Sequence, residues 1–221
     1  MTELFRRPSR IVVIAAGLSQ PSSTRLLADR LADAASTALQ ARGGTVEVEI
    51  VELRDWARDL TNNLLTGFPS PGLAGVLARV TEADAVIAVT PIFSASYSGL
   101  FKMFFDVLDP DALADKPVLI AATGGSARHS LALEHALRPL FAYLRATVVP
   151  TAVYAAPEDW ASEGDLRTRI DRAAAQLAQL VTPAGSTTPR APLDEDDADG
   201  EVIPFTRLLA AQRSAAVHQQ R

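Results

Sequence analysis

The sequence predicts an α/β fold in which a five-stranded parallel sheet is covered by helices on both faces. Three observations lead to this prediction. Apolar runs alternate with segments of helical periodicity five times along the chain. Most of these runs are continuously apolar, as in strands that are buried on both faces. The length of 221 residues, with 48% hydrophobic and 21% charged residues, suits one such domain with short appendages.

The first strand and the helix after it have clear signals. Residues 10–16 are apolar, rich in β-branched side chains and followed by Gly17, which is typical of a buried strand. Residues 22–42 place leucine and alanine at helical spacing, begin with Ser and Thr, and end at a Gly-Gly pair. Residues 45–53 alternate apolar and acidic side chains, which predicts an edge strand.

The middle of the chain continues the alternation after an interruption. Residues 55–72 are rich in Pro, Asn and Gly and predict an irregular connection. Residues 73–81 then predict a short helix, residues 83–90 a second buried strand, and residues 98–108 another helix.

The last third completes the predicted sheet. Residues 117–123 predict a third buried strand, residues 127–145 a long helix, residues 147–154 a last strand, and residues 165–181 an amphipathic helix. Because crossovers between parallel strands are right-handed, few arrangements remain. The sequence therefore predicts a flavodoxin-like doubly wound sheet with strand order 2-1-3-4-5.

The end of the chain differs in composition. Residues 1–182 carry all of the predicted strands and helices and form the expected folded domain. Residues 183–201 are rich in proline and acidic side chains, which predicts a linker. Residues 202–221 regain apolar side chains and are expected to form a C-terminal arm, with its docking partner left open.

Composition excludes several classes of function. The net charge of −5 disfavours binding to nucleic acid. The absence of cysteine excludes disulfides and thiolate metal sites, and the three histidines lack zinc-site spacing, so no metal is expected. No run reaches the roughly 20 apolar residues of a membrane span. The first residues lack the apolar core of a signal peptide, so the expected location is the cytoplasm.

The loop after the first strand suits a phosphate group. Ser19, Ser22, Ser23 and Thr24 lie at the start of the first helix, where free N–H groups and the helix dipole favour an anion, and Arg25 adds charge. The loop has neither the P-loop lysine nor the G-x-G-x-x-G pattern. Simple capping of the helix by these hydroxyl groups is the alternative interpretation.

Two further loops follow strands that should be neighbours in the sheet. Phe93 and Tyr97 lie beside one proline and several serines after the second buried strand and suit a flat heteroaromatic ring. The Gly124-Gly125 pair follows the next strand and permits close approach of the backbone to a ligand. Because ligands bind where the strand order reverses, the three loops together predict a phosphorylated, planar ligand.

Two stretches carry a resemblance to a known family. Residues 90–106 (TPIFSASYSGLFKMFFD) and 113–146 (LADKPVLIAATGGSARHSLALEHALRPLFAYLRA) resemble the NAD(P)H-dependent FMN reductases. Within that family they are most similar to the reductases of two-component flavin monooxygenase systems, such as those for alkanesulfonates. The resemblance covers roughly residues 10–180. It implies reduction of FMN by NADPH or NADH, supply of reduced FMN to a monooxygenase, and a homodimer or homotetramer.

The resemblance also implies roles for particular residues. Those expected to hold the FMN phosphate are Ser19, Ser22, Ser23 and Thr24. Those expected to border the ribityl chain and the isoalloxazine ring are Pro91, Ile92, Phe93, Ser94 and Tyr97, with Gly124, Gly125 and Ser126 along the other edge of the ring. No side chain is expected to be catalytic, because hydride passes directly from the nicotinamide to the flavin.

Two positions refine the comparison with that family. The family often has Tyr where Phe93 stands, so a hydroxyl contact is lost here. Sulfonate-type members can carry a π-bulge in the helix that matches residues 127–145, with Tyr or His near its middle, and His135 occupies that place.

The sequence leaves other functions open. A flavodoxin-type electron carrier would bind FMN without pyridine-nucleotide activity. A quinone or azo reductase would keep its FMN and pass electrons to another acceptor. The sequence also leaves open whether FMN is a substrate or a prosthetic group, and whether NADPH or NADH is preferred.

Overall fold

The computed structural model of the chain describes residues 7–161 and 163–181. The predicted linker (183–201) and C-terminal arm (202–221) lie outside the described residues. The strands are β1 (Ser9–Ala15), β2 (Val46–Glu52), β3 (Ala85–Phe93), β4 (Ser96–Tyr97), β5 (Pro117–Thr123), β6 (Thr147–Val148) and β7 (Val153–Ala155). The α-helices are α1 (Ser23–Gln40), α2 (Ala57–Thr66), α3 (Pro71–Glu82), α4 (Gly99–Asp106), α5 (Arg138–Tyr143) and α6 (Glu163–Leu180).

The main strands form a parallel sheet in the order β2-β1-β3-β5-β6, with β7 also paired parallel to β5. The predicted α/β class and flavodoxin-like arrangement are confirmed. The predicted strand order is matched in part, but the number of five strands was wrong, because the sheet has seven strands in the described part of the chain. The last predicted strand is divided into β6 and β7, and the short strand β4 forms an antiparallel hairpin with β3.

Pro150 explains the division of the last strand, because proline has no N–H to donate to a neighbouring strand. Val149 still donates to β5, at 2.9 Å. Beyond the proline, the Thr151 N–H donates instead to the side chain of Gln176, at 2.8 Å. The guanidinium group of Arg138 donates to the carbonyl groups of Val149 and Pro150, so the interruption keeps its polar groups satisfied.

Two predicted segments need correction. The segment 55–72 was predicted to be irregular, but it contains the end of a 3-10 helix (Leu53–Trp56), all of α2 and the start of α3. Leu60 anchors α2 in the core, and Gly67 ends this helix in the left-handed conformation.

The prediction of one continuous helix over residues 127–145 was wrong. It is a 3-10 turn (Ala127–His129), then a π-helical turn (Leu133–Leu137), then α5. Pro139 has no N–H to donate to His135, as a continuous α-helix would require, and the register changes just before it. The π-helical turn has His135 at its centre, as the family resemblance implies.

The sheet has an apolar layer on each face. Alternate residues of β1 point to opposite faces, with Ile11 and Val13 towards one layer and Val12 and Ile14 towards the other. Helices α1 and α6 cover the first face, while α2 to α5 cover the second. No helix in the described part of the chain has the length and hydropathy needed to cross a membrane.

The register of the sheet brings three loops to one edge. Ala15 of β1 lies opposite Val89 of β3, and Pro91 of β3 lies opposite Thr123 of β5. A hydrogen bond of 2.8 Å joins the hydroxyl groups of Thr24 in α1 and Thr123, and both residues are buried. The start of α1 is thereby fixed to the end of β5.

We expect the Thr24–Thr123 pair to be energetically coupled. Thr24→Val keeps the shape of the side chain but leaves the Thr123 hydroxyl group buried without a partner, which should lower the free energy of unfolding by about 1–3 kcal/mol. Thr123→Val should do the same, and the double variant should lose less than the sum of the two. Urea denaturation measures all three.

The matched control is Thr37→Val, because Thr37 is an exposed residue of α1. Its effect should stay within about 0.5 kcal/mol. Additive losses in the double variant would contradict the coupling.

Candidate functional site

The loop between β1 and α1 is folded tightly against the start of its helix. A Cβ atom at Gly17 would lie 2.1 Å from the Ser22 Oγ, so only glycine fits there. The Ser22 Oγ in turn accepts a hydrogen bond from the Arg25 N–H, at 3.2 Å, and caps α1. The capping interpretation of Ser22 is correct, and the hydroxyl proton of Ser22 stays available to a ligand.

The rest of this loop presents hydrogen-bond donors. Ser19 and Ser23 are exposed, and neither hydroxyl group forms a hydrogen bond within the described part of the chain. As the first residues of an 18-residue helix, Ser23 and Thr24 have N–H groups without an intrahelical acceptor. The first turn contains no acidic residue. These donors suit a phosphate group.

Thr24 differs from its predicted neighbours. Its side chain is buried and turned towards Thr123, so it points away from the solvent-facing side of the loop. A ligand at this loop can therefore reach the backbone N–H of Thr24 but not a free hydroxyl group.

The arginines beside the loop are occupied by carboxylates. Arg25 donates to Asp29 at 2.9 Å and to Glu52 at 2.5 Å, and its hydrogen bond to the Asp29 carboxylate raises the pKa of Arg25. Arg54 pairs with the same Glu52 and donates to the carbonyl group of Ser19, at 3.2 Å. Arg54 therefore supports the shape of the loop, and the positive charge of Arg25 is shared with two carboxylates.

The second loop is a β-hairpin, which the sequence analysis missed. Strand β3 extends to Phe93 and pairs with β4 through a two-residue turn, Ser94-Ala95. Both turn residues have positive φ angles, of 48° and 66°. The turn lacks the Asn-Gly signal that would have predicted it. Left-handed conformations in non-glycine residues store strain, and such strain is concentrated at functional sites.

The predicted residues of the hairpin differ in their exposure. Pro91 and Ile92 are buried, so a ligand at this edge reaches their backbone rather than their side chains. The side chain of Phe93 is 49% exposed at the tip of the hairpin. Tyr97 is half-buried against Phe101, with ring centroids 5.8 Å apart. An apolar, partly open surface therefore lies beside the turn.

The third loop is held by a tyrosine that the sequence analysis did not single out. The Tyr154 hydroxyl group donates to the Ser126 carbonyl group, at 2.8 Å. The Gly124 N–H donates to the Ala155 carbonyl group, at 3.2 Å. Gly125 has open space where a side chain would stand. Only the position of Tyr154 at the end of the last strand could have indicated this role.

These three loops form one candidate site. The first loop offers N–H and hydroxyl donors, the hairpin offers an apolar surface with an aromatic side chain, and the third loop offers glycine backbone. The register of the sheet and the Thr24–Thr123 hydrogen bond place the three side by side. The donor set fits a phosphate at one end and a planar ring at the other, which is the chemistry of FMN.

Comparison with known proteins agrees with this chemistry. The family model described as NADPH-dependent FMN reductase matches residues 9–161. The NADH-dependent FMN reductase SfnF of Pseudomonas fluorescens (strain Pf0-1) is 38% identical over 178 residues, which is 79% of this chain and 92% of that protein. An FMN reductase (NADPH) of Pseudomonas aeruginosa is 36% identical over 177 residues, covering 78% of this chain and 92% of that protein.

A solved structure extends the similarity to three dimensions. An oxidoreductase from Corynebacterium diphtheriae is 47% identical, has a TM-score of 0.77, and matches 79% of this chain and 97% of its own. The chain therefore belongs to the family of NADPH-dependent FMN reductases.

Proposed function

We propose that this chain supplies reduced FMN to a partner monooxygenase, using hydride from NADH or NADPH. As a member of its family, the chain is an oxidoreductase that reduces FMN with a nicotinamide nucleotide. The convergence of the three loops at one edge of the sheet is the observation that supports this use of the site. Relatives named as NADH-dependent FMN reductases SfnF and SfnE support FMN as the acceptor and a nicotinamide nucleotide as the hydride donor.

The first loop binds the phosphate group in this proposal. The donors are the hydroxyl groups of Ser19, Ser22 and Ser23 together with the N–H groups of Ser23 and Thr24. Because Arg25 and Arg54 are paired with carboxylates, the helix dipole and these hydrogen bonds provide most of the attraction.

The other two loops orient the ring system. The backbone of Pro91 and Ile92, the side chains of Phe93 and Tyr97, and the turn residue Ser94 border it on one side. Gly124, Gly125 and Ser126 border it on the other. FMN, when bound, supplies the hydride acceptor, so the protein needs no general acid or base for that step. Its own contribution is to hold the two reactants in contact.

The chain is also proposed to act as a homodimer or homotetramer in the cytoplasm, where nicotinamide nucleotides are available. Leu64, Leu65 and Phe68 support the assembly, because these large apolar side chains at the end of α2 are exposed, Leu65 by 80% and Phe68 by 79%. Sedimentation velocity should show the full chain as a dimer or tetramer, and Leu65→Glu should favour smaller species. A monomeric wild-type chain would contradict this proposal.

An activity assay separates the proposed function from its alternatives. Nicotinamide oxidation should be slow for the purified chain alone and should rise in proportion to added free FMN, because FMN is exchanged at each turnover. Absorbance of the reduced nicotinamide measures the rate.

The other outcomes identify the other functions. A quinone reductase with retained FMN would oxidise the nicotinamide with a quinone and no added flavin. An electron carrier would show no oxidation with either acceptor. Either result would contradict supply of reduced FMN.

A charge substitution tests the phosphate loop. Ser23→Asp places a carboxylate beside the phosphate and should weaken FMN binding by at least about 100-fold. An acidic residue in the first turn stabilises a helix, so the loss cannot come from unfolding of α1. Fluorescence titration of FMN measures the affinity. The matched control is Ser23→Asn, which has nearly the same size without the charge and should bind within a few-fold of wild type, whereas equal losses would refute the assignment.

A further inference from the structure

We propose that Tyr154 is a positioning residue for FMN binding. Its hydroxyl group packs against Gly124 and holds the Gly124–Ser126 segment in the conformation that binds the flavin. This inference rests on the proposed function, in which that segment borders the ring. Tyr154 itself is not proposed to take part in the chemistry.

The contacts of Tyr154 carry the inference. Tyr154 is buried, and its hydroxyl group donates to the Ser126 carbonyl group at 2.8 Å. That carbonyl group belongs to the turn that follows the two glycines. Without the phenol, the turn would lose the one side-chain hydrogen bond that fixes Ser126 to the last strand in the described part of the chain. The segment 124–126 would then be free to adopt other shapes.

Gly124 completes the arrangement by leaving room for the phenol. A Cβ atom at position 124 would lie 2.0 Å from the Tyr154 hydroxyl oxygen and 3.0 Å from the ring carbon that bears it. Backbone and phenol are therefore in direct contact. A side chain at position 124 and the present position of Tyr154 exclude each other.

Other residues fix the tyrosine in turn. Arg169 of α6 donates to the Tyr154 carbonyl group at 2.6 Å and forms an ion pair with Asp159. Asp159 also accepts from the Ala156 N–H, at 2.7 Å. Burial, together with the negative charges of Asp159 and Glu158, raises the pKa of Tyr154. The phenol therefore keeps its proton, and remains a donor, across the physiological pH range.

The first test removes only the hydroxyl group. Tyr154→Phe in the full chain should weaken FMN binding about tenfold, the change expected when one hydrogen bond that orders the site is lost. The KM for FMN should rise by a similar factor, while kcat at saturating FMN and the KM for NADH should stay within about twofold. Fluorescence titration with FMN and steady-state kinetics measure these quantities.

Tyr143→Phe is the matched control. Tyr143 is 84% exposed on α5, and its hydroxyl group forms no hydrogen bond within the described residues. FMN affinity should be unchanged in this variant. Equal affinities in Tyr154→Phe and the wild type, or equal losses in both tyrosine variants, would overturn the inference.

The second test uses the contact with Gly124. Gly124→Ala drives a methyl group into the phenol and should weaken FMN binding more than Tyr154→Phe does. Adding Tyr154→Phe to Gly124→Ala removes the hydroxyl oxygen that the new methyl group would contact, so part of the FMN affinity should return. Tyr154→Phe would then weaken FMN binding in the wild-type chain but improve it in the Gly124→Ala variant. A merely structural role of Tyr154 would make the double variant worse than either single one, and that result would overturn the inference.

The outcomes separate this inference from the function on which it rests. A wild-type chain that does not bind FMN would refute the proposed function itself. A wild-type chain that binds FMN, with no loss in Tyr154→Phe and no partial rescue of Gly124→Ala, would refute only the role of Tyr154. If Tyr154→Phe alone fails to fold, the comparison of Gly124→Ala with its double variant decides.

Discussion

The buried hydrogen bond between Thr24 and Thr123 is the contact on which the site depends. It joins the first turn of α1, which follows β1, to the end of β5, although β3 lies between β1 and β5 in the sheet. Both hydroxyl groups are buried, so neither has water as a substitute partner. The loop proposed to bind the phosphate and the loop proposed to border the ring are thereby held at a fixed spacing, as a ligand of fixed length requires.

The two arginines beside the first loop are both paired with carboxylates. Glu52 forms ion pairs with both Arg25 and Arg54, so these arginines fix the shape of the first loop more than they attract an anion. In the proposed function, hydrogen bonds from the start of α1 then recognise the phosphate. Recognition of this kind is weaker than a bidentate contact from an unpaired arginine. It therefore suits the proposed release of reduced FMN to another protein.

Sequence reasoning found the parallel sheet and the three loops, because both follow from strong local signals. Continuous apolar strands and the residues after them are visible without knowing any contact. The missed features depend on contacts between distant residues or on weak signals. The hairpin turn Ser94-Ala95 has no glycine or asparagine that would have predicted it. The apolar side chains of α2 lie among Asn62, Asn63 and Gly67, which are residue types typical of loops. Tyr154 acquires its role only when β7 pairs with β5 and brings its hydroxyl group to Ser126.

Local contacts also fix the shape of the second and third loops. The hairpin holds two non-glycine residues at positive φ, and the third loop is held by a buried phenol against a glycine. The positive φ angles of the hairpin are less favourable locally than the alternatives, so the packed sheet beneath must enforce them. Arg169 of α6 donates to the Tyr154 carbonyl group and so connects the third loop to α6. This helix packs on one face of the sheet, whereas the apolar residues of the hairpin pack on the other. Loops that are already fixed in shape lose little entropy when a ligand binds, which suits the exchange of FMN at each turnover that we propose.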